Sequence, residues 1–261
     1  MNGLKIRSTQ NQTKLIFNKL FKRSKKLAEP LSLSVLKVDF HSHLIPGIDD
    51  GAQDMDEAIS LIREMKDLGF TKLITTPHVM SDFFKNTPEI IQSGLEELQA
   101  KLKECNIEIE TEAAAEYYID DGFVSKLENE KLLTFGDGHV LFEVSYINCP
   151  DNINDIIFRM MVAGYKPVMA HPERYPYWYR DIDMYRKFKD QGVILQININ
   201  SLTGYYGPEA KKIAEKLIDE NLVGAVGSDL HHSRHLAALK DVRYELYFQK
   251  ISETNLLNKF L

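Results

Sequence analysis

Cysteine is scarce, and long apolar runs are missing. The two cysteines, Cys105 and Cys149, lie far apart. That is unlike the dense disulfide framework of a small secreted domain, and it fits a reducing compartment, so a cytoplasmic location is expected. Neither cysteine opens a Cys-x5-Arg loop, since the sixth residue on is Thr111 in one case and Asp155 in the other. Thiolate phosphatase chemistry of that kind is thereby excluded. No stretch approaches the ~18 consecutive apolar residues of a membrane-spanning helix. A secretory signal peptide is not expected, since the N-terminus shows no long apolar region and no obvious small-residue cleavage site, and no Walker A loop is present. Residues 35–261 show no internal repeat and no low-complexity tract. A net charge of −6 argues against nucleic acid as a partner.

The 261 residues suit one large α/β domain or two small ones, and a domain of this size needs no disulfide staples. The charge is unevenly spread. Lys5, Arg7, Lys14, Lys19, Lys22, Arg23, Lys25 and Lys26 sit in residues 1–28 without one acidic residue, so the remainder carries −14. We divide the chain into a basic arm, 1–34, and a body, 35–261. Leu15, Ile16, Phe17, Leu20 and Phe21 among the lysines suggest a helix touching anionic lipid or an acidic partner segment; the alternative is a poorly ordered leader.

Within the body, short Val-, Ile- and Leu-rich runs alternate with helical patterns. The expected strands are Leu36–Phe40, Lys72–Thr75, Ile107–Thr111, Val140–Val144, Pro167–Ala170, Val193–Ile197 and Val223–Val226. Asp54-x-x-Glu57 resembles a capping box opening a helix through Ala58, Ile62, Met65 and Leu68, with Gly69 as its stop. Further helices are expected over Pro88–Glu104, Asn154–Ala163, Ile182–Gln191 and Pro208–Glu220, and a weaker one near Phe123–Asn129. This alternation implies a parallel sheet, closed or open.

The placement of metal-type side chains favours a barrel. Asp39-Phe-His41-Ser-His43 follows the first strand, and residues two apart on an extended chain point the same way. His78 follows the second strand, Glu116 the third, His171-Pro-Glu-Arg174 the fifth and Asp229-Leu-His231 the seventh, while Glu143 lies in the fourth. In α/β barrels, side chains far apart in sequence converge at the C-terminal strand ends. A single histidine after a strand is usually a cap or a packed side chain. Six strands of seven carrying a candidate ligand there is not explained that way.

His41-x-His43, Gly47-Ile-Asp-Asp-Gly51, Thr-Thr-Pro-His78, Ala-Glu116-Tyr-Tyr, Phe-Glu143, His171-Pro-Glu-Arg174-Tyr and Gly-Ser-Asp229-Leu-His231 together resemble the polymerase and histidinol phosphatase (PHP) superfamily. More narrowly, they resemble its bacterial capsule-locus protein-tyrosine phosphatases. The likeness spans roughly residues 36–235 and leaves out the arm. It implies a distorted (β/α)7 TIM-like barrel holding three divalent metal ions, usually manganese, with iron(II) or zinc as alternatives. Carried over by motif, His41, His43, Glu116 and Asp229 would hold one ion. Glu116, Glu143 and His171 would hold the second, and Asp50, His78 and His231 the third. Asp49 is the rival of Asp50. Nine nitrogen and oxygen ligands without thiolate suit such ions, and four carboxylates against three dications leave +2, a site that attracts phosphate.

The implied reaction is hydrolysis of phosphotyrosine by metal-activated hydroxide. The implied partner is the tail of a membrane-bound tyrosine kinase of polysaccharide synthesis. Arg174 is the candidate phosphate clamp; its alternative role is a salt bridge. His231 is a candidate proton donor, poorly free for that task if it holds a metal. Tyr175, Tyr177, Trp178 and Tyr179 could form an aromatic rim or pack their own loop. His232 and His235 should line or cap the site, and His139 should be structural. The competing readings are a phosphatase of a small ester such as histidinol phosphate, a nuclease disfavoured by the acidic body, and an inactive metal-stabilised interaction module. An amidohydrolase is disfavoured because no lysine is suitably placed.

Overall fold

The computed structural model describes residues 26–261. The possible membrane or partner contact of residues 1–28 falls almost wholly outside them. Among the described residues, no helix is long and apolar enough to cross a membrane. Packing of the body reaches back to residue 27, where Leu27 N donates to Tyr244 O and Leu31 N to Arg243 O. Leu33, in a 3-10 turn capped by Ser32, is fully buried.

Nine strand segments follow: β1 Val38–Asp39, β2 Lys72–Thr75, β3 His78–Val79, β4 Glu110–Ala113, β5 Glu116–Tyr118, β6 His139–Glu143, β7 Lys166–Ala170, β8 Ile194–Asn198 and β9 Val223–Gly227. Every pairing is parallel, in the orders β1-β2-β4 and β3-β5-β6-β7-β8-β9. The two sheets are halves of one barrel. The Thr76-Pro77 step splits the second stave into β2 and β3, and Ala114-Ala115 splits the third into β4 and β5. Pro77 has no N–H to continue a ladder. The seam between first and last staves closes through Asp229 N to His41 O at 2.8 Å and His43 N to Leu230 O at 2.9 Å. The result is a seven-stave barrel, distorted at both breaks. The third stave runs later than the expected Ile107–Thr111 and the first is shorter than Leu36–Phe40, because Lys37 takes a left-handed φ of 65°.

The helices are α1 Met55–Asp67, α2 Pro88–Glu104, α3 Phe123–Asn129, α4 Ile153–Val162, α5 Ile182–Asp190, α6 Pro208–Asp219, α7 Ser233–Val242 and α8 Leu246–Ser252. The Asp54 carboxylate accepts from Glu57 N at 2.9 Å, and Glu57 Oε2 accepts from Gln53 N at 3.0 Å, which realises the cap read from the sequence. Thr87 caps α2, with Pro88 at its first position. The last two helices carry no side-chain cap.

The main core lies between helices and staves, and a smaller one fills the barrel below its mouth with Val38, Phe40, Ile74, Phe135, Leu141 and Val168 among others. The C-terminal turn, Leu257–Phe260, plugs the floor. There Asn258 Nδ2 donates to Val38 O and Val226 O, and its Oδ1 accepts from Val226 N, at 2.8–3.0 Å. With the floor sealed, chemistry is confined to the mouth.

Candidate metal centre

All nine carried-over residues meet at the C-terminal mouth, where their ligand atoms form four overlapping groups. His41 and His43 extend the first stave, and both rings are wholly buried. Each is held from behind: His41 Nδ1 lies 2.7 Å from Gln196 Oε1, and His43 Nδ1 lies 2.7 Å from Asp49 Oδ2. A carbonyl or carboxylate oxygen only accepts, so Nδ1 of each ring donates and the second nitrogen faces inward, placed to offer its lone pair to a cation. Asp49 also accepts from Gly51 N and His78 N. It is therefore engaged behind the ligand sphere, whereas Asp50 Oδ1 lies 3.5 Å from His78 Nε2 and 3.4 Å from His231 Nε2.

Glu116 sits at the centre. Its Oε2 is 3.2 Å from His41 Nε2, 3.4 Å from His43 Nε2 and 3.2 Å from His78 Nδ1, and its Oε1 is 3.1 Å from His171 Nε2. Glu143 Oε1 is 3.2 Å from His78 Nδ1, and Glu143 Oε2 is 3.7 Å from His171 Nε2. Asp229 Oδ1 faces His41 Nε2 and His231 Nδ1, both at 3.4 Å. Two of the residues adopt positive φ, His171 at 37° and Asp229 at 51°. Such backbone is costly for a non-glycine residue and persists only where the surroundings impose it.

Four atoms decide whether cations fit. His41 Nε2, His43 Nε2, His78 Nδ1 and Glu116 Oε2 are buried, and among the described residues none has a hydrogen-bond partner. Each such group costs roughly 1–3 kcal/mol if left unsatisfied. All four converge on one volume with no thiolate, so the donor set fits divalent cations of the manganese, iron or zinc kind.

The charges agree with this. Burial by itself lowers the His41 and His78 values, but Glu116 and its carboxylate neighbours outweigh it and lift them to about 9 and about 10. Burial pushes Glu116 upward, and the imidazoles of His41 and His78 overcome it and hold the carboxyl well below its usual range. For His171, burial wins and the value falls.

Above this cluster opens a cavity of about 380 Å³, lined in part by Phe84, Tyr146, Arg174, Tyr206, His232 and His235. Arg174 Nη1 donates to Asp229 Oδ2 at 2.9 Å, so the salt-bridge reading of Arg174 is realised while the residue also faces the cavity. Its guanidinium lies over the rings of Tyr146, at 4.9 Å, and Tyr206, at 4.2 Å. Of the two readings of Tyr175, Tyr177, Trp178 and Tyr179, the structure favours loop packing over a rim. Tyr175 and Trp178 are buried and stack on their own loop, and Tyr177 Oη donates to Ser145 O. Tyr146, Tyr206 and Phe84 take that place. Phe84 and Tyr146 carry no local sequence signal for this role, because the three residues follow three different staves. His232 and His235 do line the cavity. His139 lies away from it, in a bridge with Phe135.

The family described as "Capsular polysaccharide synthesis, CpsB/CapC" matches residues 37–252. The tyrosine-protein phosphatase YwqE of Bacillus subtilis is 28% identical over 196 residues, covering 75% of this chain and 77% of that protein. The tyrosine-protein phosphatase CpsB of Streptococcus pneumoniae is 27% identical over 201 residues, covering 75% and 83%. A structure from the crystallography of YwqE and CpsB, described as unique metal-dependent tyrosine phosphatases, superposes with a TM-score of 0.73 at 25% identity over 85% of this chain and 90% of that one. An amidohydrolase from Mycoplasma synoviae, 13% identical with a TM-score of 0.50, shares the fold alone, over 91% of this chain and 90% of that one. A barrel closed by the His41–Asp229 seam, nine convergent imidazoles and carboxylates, and a match over residues 37–252 lead to one assignment: the chain belongs to the CpsB/CapC family of capsular polysaccharide synthesis.

Proposed function

We propose that this chain is a metal-dependent protein-tyrosine phosphatase, acting on phosphotyrosine in the tail of a tyrosine kinase of capsule or exopolysaccharide synthesis. The observation that carries the reading is the set of four buried, unpartnered ligand atoms around Glu116 beneath the guanidinium of Arg174. Membership of the family supports the polysaccharide setting, and the named relatives support the phosphotyrosyl substrate.

In this reading His41, His43, Glu116 and Asp229 hold one ion, Glu116, Glu143 and His171 a second, and Asp50, His78 and His231 a third, with manganese as the favoured metal. Bound dications would supply Lewis acidity and lower the pKa of water from ~15.7 toward ~7. The protein's own groups do the rest. Among the described residues the Arg174 side chain donates only through Nη1, so Nε and Nη2 remain available to bind two phosphoryl oxygens. Tyr146 and Tyr206 hold the guanidinium by cation–π contact. The wholly buried rings of His41 and His43 keep bulk water from the floor. A phenolate leaving group, phenol pKa ~10, needs less acid help than an alkoxide, so His231 need not give up a proton.

A polypeptide substrate fits the rim. Phe83 beside Phe84, Ile147 beside Tyr146, and Tyr205 beside Tyr206 are 79%, 88% and 39% exposed on three separate loops. Apolar side chains displayed around a polar cavity suit a chain flanking the phosphotyrosine better than a small ester.

The test compares turnover of a phosphotyrosyl peptide and of histidinol phosphate by the manganese-loaded protein, with and without chelator. Chelator-sensitive turnover strongly favouring the peptide is expected. Preference for histidinol phosphate, or peptide hydrolysis indifferent to chelator after metal removal is verified, would refute the proposal.

A further inference from the structure

Six staves carry candidate ligands, and β8 carries none; instead it places two wholly buried amides, Gln196 and Asn198, inside the barrel. We propose that Gln196 and Asn198 are positioning residues, fixing which nitrogen of His41 and which oxygen of Asp229 face the cation site. This rests on the metal-centre reading above.

Residues two apart on a strand share a face. Buried parallel strands are normally apolar throughout, so two primary amides on the lumen face of β8 call for a role. Gln196 Oε1 meets His41 Nδ1 at 2.7 Å, Gln196 Nε2 donates to Asn198 Oδ1 at 3.1 Å, and Asn198 Nδ2 donates to Asp229 Oδ2 at 2.6 Å. The polarity of this relay has one consistent solution. Asp229, as a carboxylate, only accepts, so Asn198 must present its NH2 there and its oxygen to Gln196. Gln196 then presents its NH2 to Asn198 and its oxygen to His41. His41 therefore carries its proton on Nδ1 and turns Nε2 inward. Reversing either amide would set two acceptors against each other in a dry interior.

At its other end the relay selects an oxygen. Asp229 Oδ2 is occupied by Asn198 Nδ2, by Arg174 Nη1 at 2.9 Å and by Tyr206 Oη at 3.3 Å. That leaves Oδ1 facing His41 Nε2 and His231 Nδ1. The strand itself is tied down, because Asn198 N donates to Glu173 Oε1 at 2.9 Å and Ser201 Oγ donates to the same oxygen at 2.6 Å. Glu173 sits in the turn between His171 and Arg174, so β8 is registered against both. Space for the amide comes from Gly227 on β9, where a Cβ would stand 2.9 Å from Gln196 Nε2 and 2.6 Å from His41 Cβ.

The experiment reads metal binding and the His41 ring rather than turnover. Manganese(II) affinity is measured by chelator competition on the full chain and on Gln196→Met, Gln196→Glu and Asn198→Leu, with thermal unfolding of each metal-free protein. Outer partners of a metal-bound histidine are typically worth about 10–100-fold in metal affinity. Gln196→Met and Asn198→Leu should lose on that order, while Gln196→Glu, which keeps an acceptor opposite Nδ1 but sets a second acceptor against Asn198 Oδ1, should fall between Gln196→Met and the parent. Long-range proton–nitrogen spectra of the zinc-loaded parent should show His41 protonated at Nδ1 only. The opposite tautomer overturns the proposal, as do folded Met and Leu variants with parental affinity, or equal losses in Gln196→Glu and Gln196→Met. A parent chain that binds neither manganese nor zinc would overturn the metal-centre reading itself, and this inference with it.

Discussion

Gly51 closes the turn that carries Asp49 and Asp50, and alanine there tests how tightly that turn holds the first stave. An added Cβ would lie 2.2 Å from His43 O and 2.4 Å from His43 Cβ. Carbon contacts settle near ~3.5–4.0 Å, so the turn must retreat by more than an ångström. The obstacle is backbone and cannot swing aside, since His43 O already accepts from Ala52 N at 3.0 Å. Overpacking of this kind costs ~1–3 kcal/mol. The Gly51 N to Asp49 Oδ1 bond, 3.0 Å long, is put at risk, for about 1 kcal/mol more. The expected destabilisation is therefore ~2–4 kcal/mol by urea unfolding of the metal-free protein. Because Asp49 Oδ2 also orients His43 at 2.7 Å, metal affinity should fall by roughly 10–100-fold as well. Gly164→Ala is the control. Its Cβ meets nothing within 4 Å, but its φ is +88°, so strain of ~1–2 kcal/mol is expected with metal affinity intact. A Gly51→Ala protein within about 0.5 kcal/mol of the parent and equal to it in metal affinity would refute the reasoning.

Other expectations follow from the same geometry. Arg174→Ala should lower kcat/KM for a phosphotyrosyl peptide by ~10²–10³ while bound metal stays constant, and Arg174→Lys should restore little because a point charge cannot reproduce the planar fork; steady-state kinetics with metal analysis decides this. Cation loading should release protons at pH 7, because metal-free His41 and His78 titrate near about 9 and about 10. Affinity should thus rise with pH across the neutral range and level off above those values, as followed by calorimetry in buffers of different ionisation enthalpy. In the metal-free protein those raised values stabilise the fold fully below an unfolded pKa of ~6.5, and that contribution is lost as pH climbs through the folded values. A stability curve rising across that window would contradict the assignment. Asn258→Ala removes three buried backbone contacts at the barrel floor. It should cost ~2–4 kcal/mol by denaturant titration yet leave metal affinity unchanged.

Much was legible in the chain because its signals are local. Hydrophobic period gave most helices and strands, the Asp54 cap fixed one helix start, and the strand-end positions of His41, His78, His171 and Asp229 pointed to a shared mouth. The third stave was misplaced because Glu110, Thr111, Glu112 and Ala113 are partly exposed and lack the apolar signature of a buried strand. Helices α7 and α8, of ten and seven residues, went unread.

Sequence alone determined the inventory: which imidazoles, carboxylates and arginine are present, and which stave delivers each one. Only the tertiary structure decided how they are used, because those uses depend on directions between strands that sequence spacing does not encode. Asp49 stands behind His43 while Asp50 faces His78 and His231. Tyr146 and Tyr206, from different staves, both lie against Arg174. Gln196 and Asn198, silent in the sequence, close hydrogen bonds to residues from the first and last staves. Barrel closure brings those side chains within hydrogen-bond reach, and the dry interior obliges each buried polar atom to find its one compatible partner.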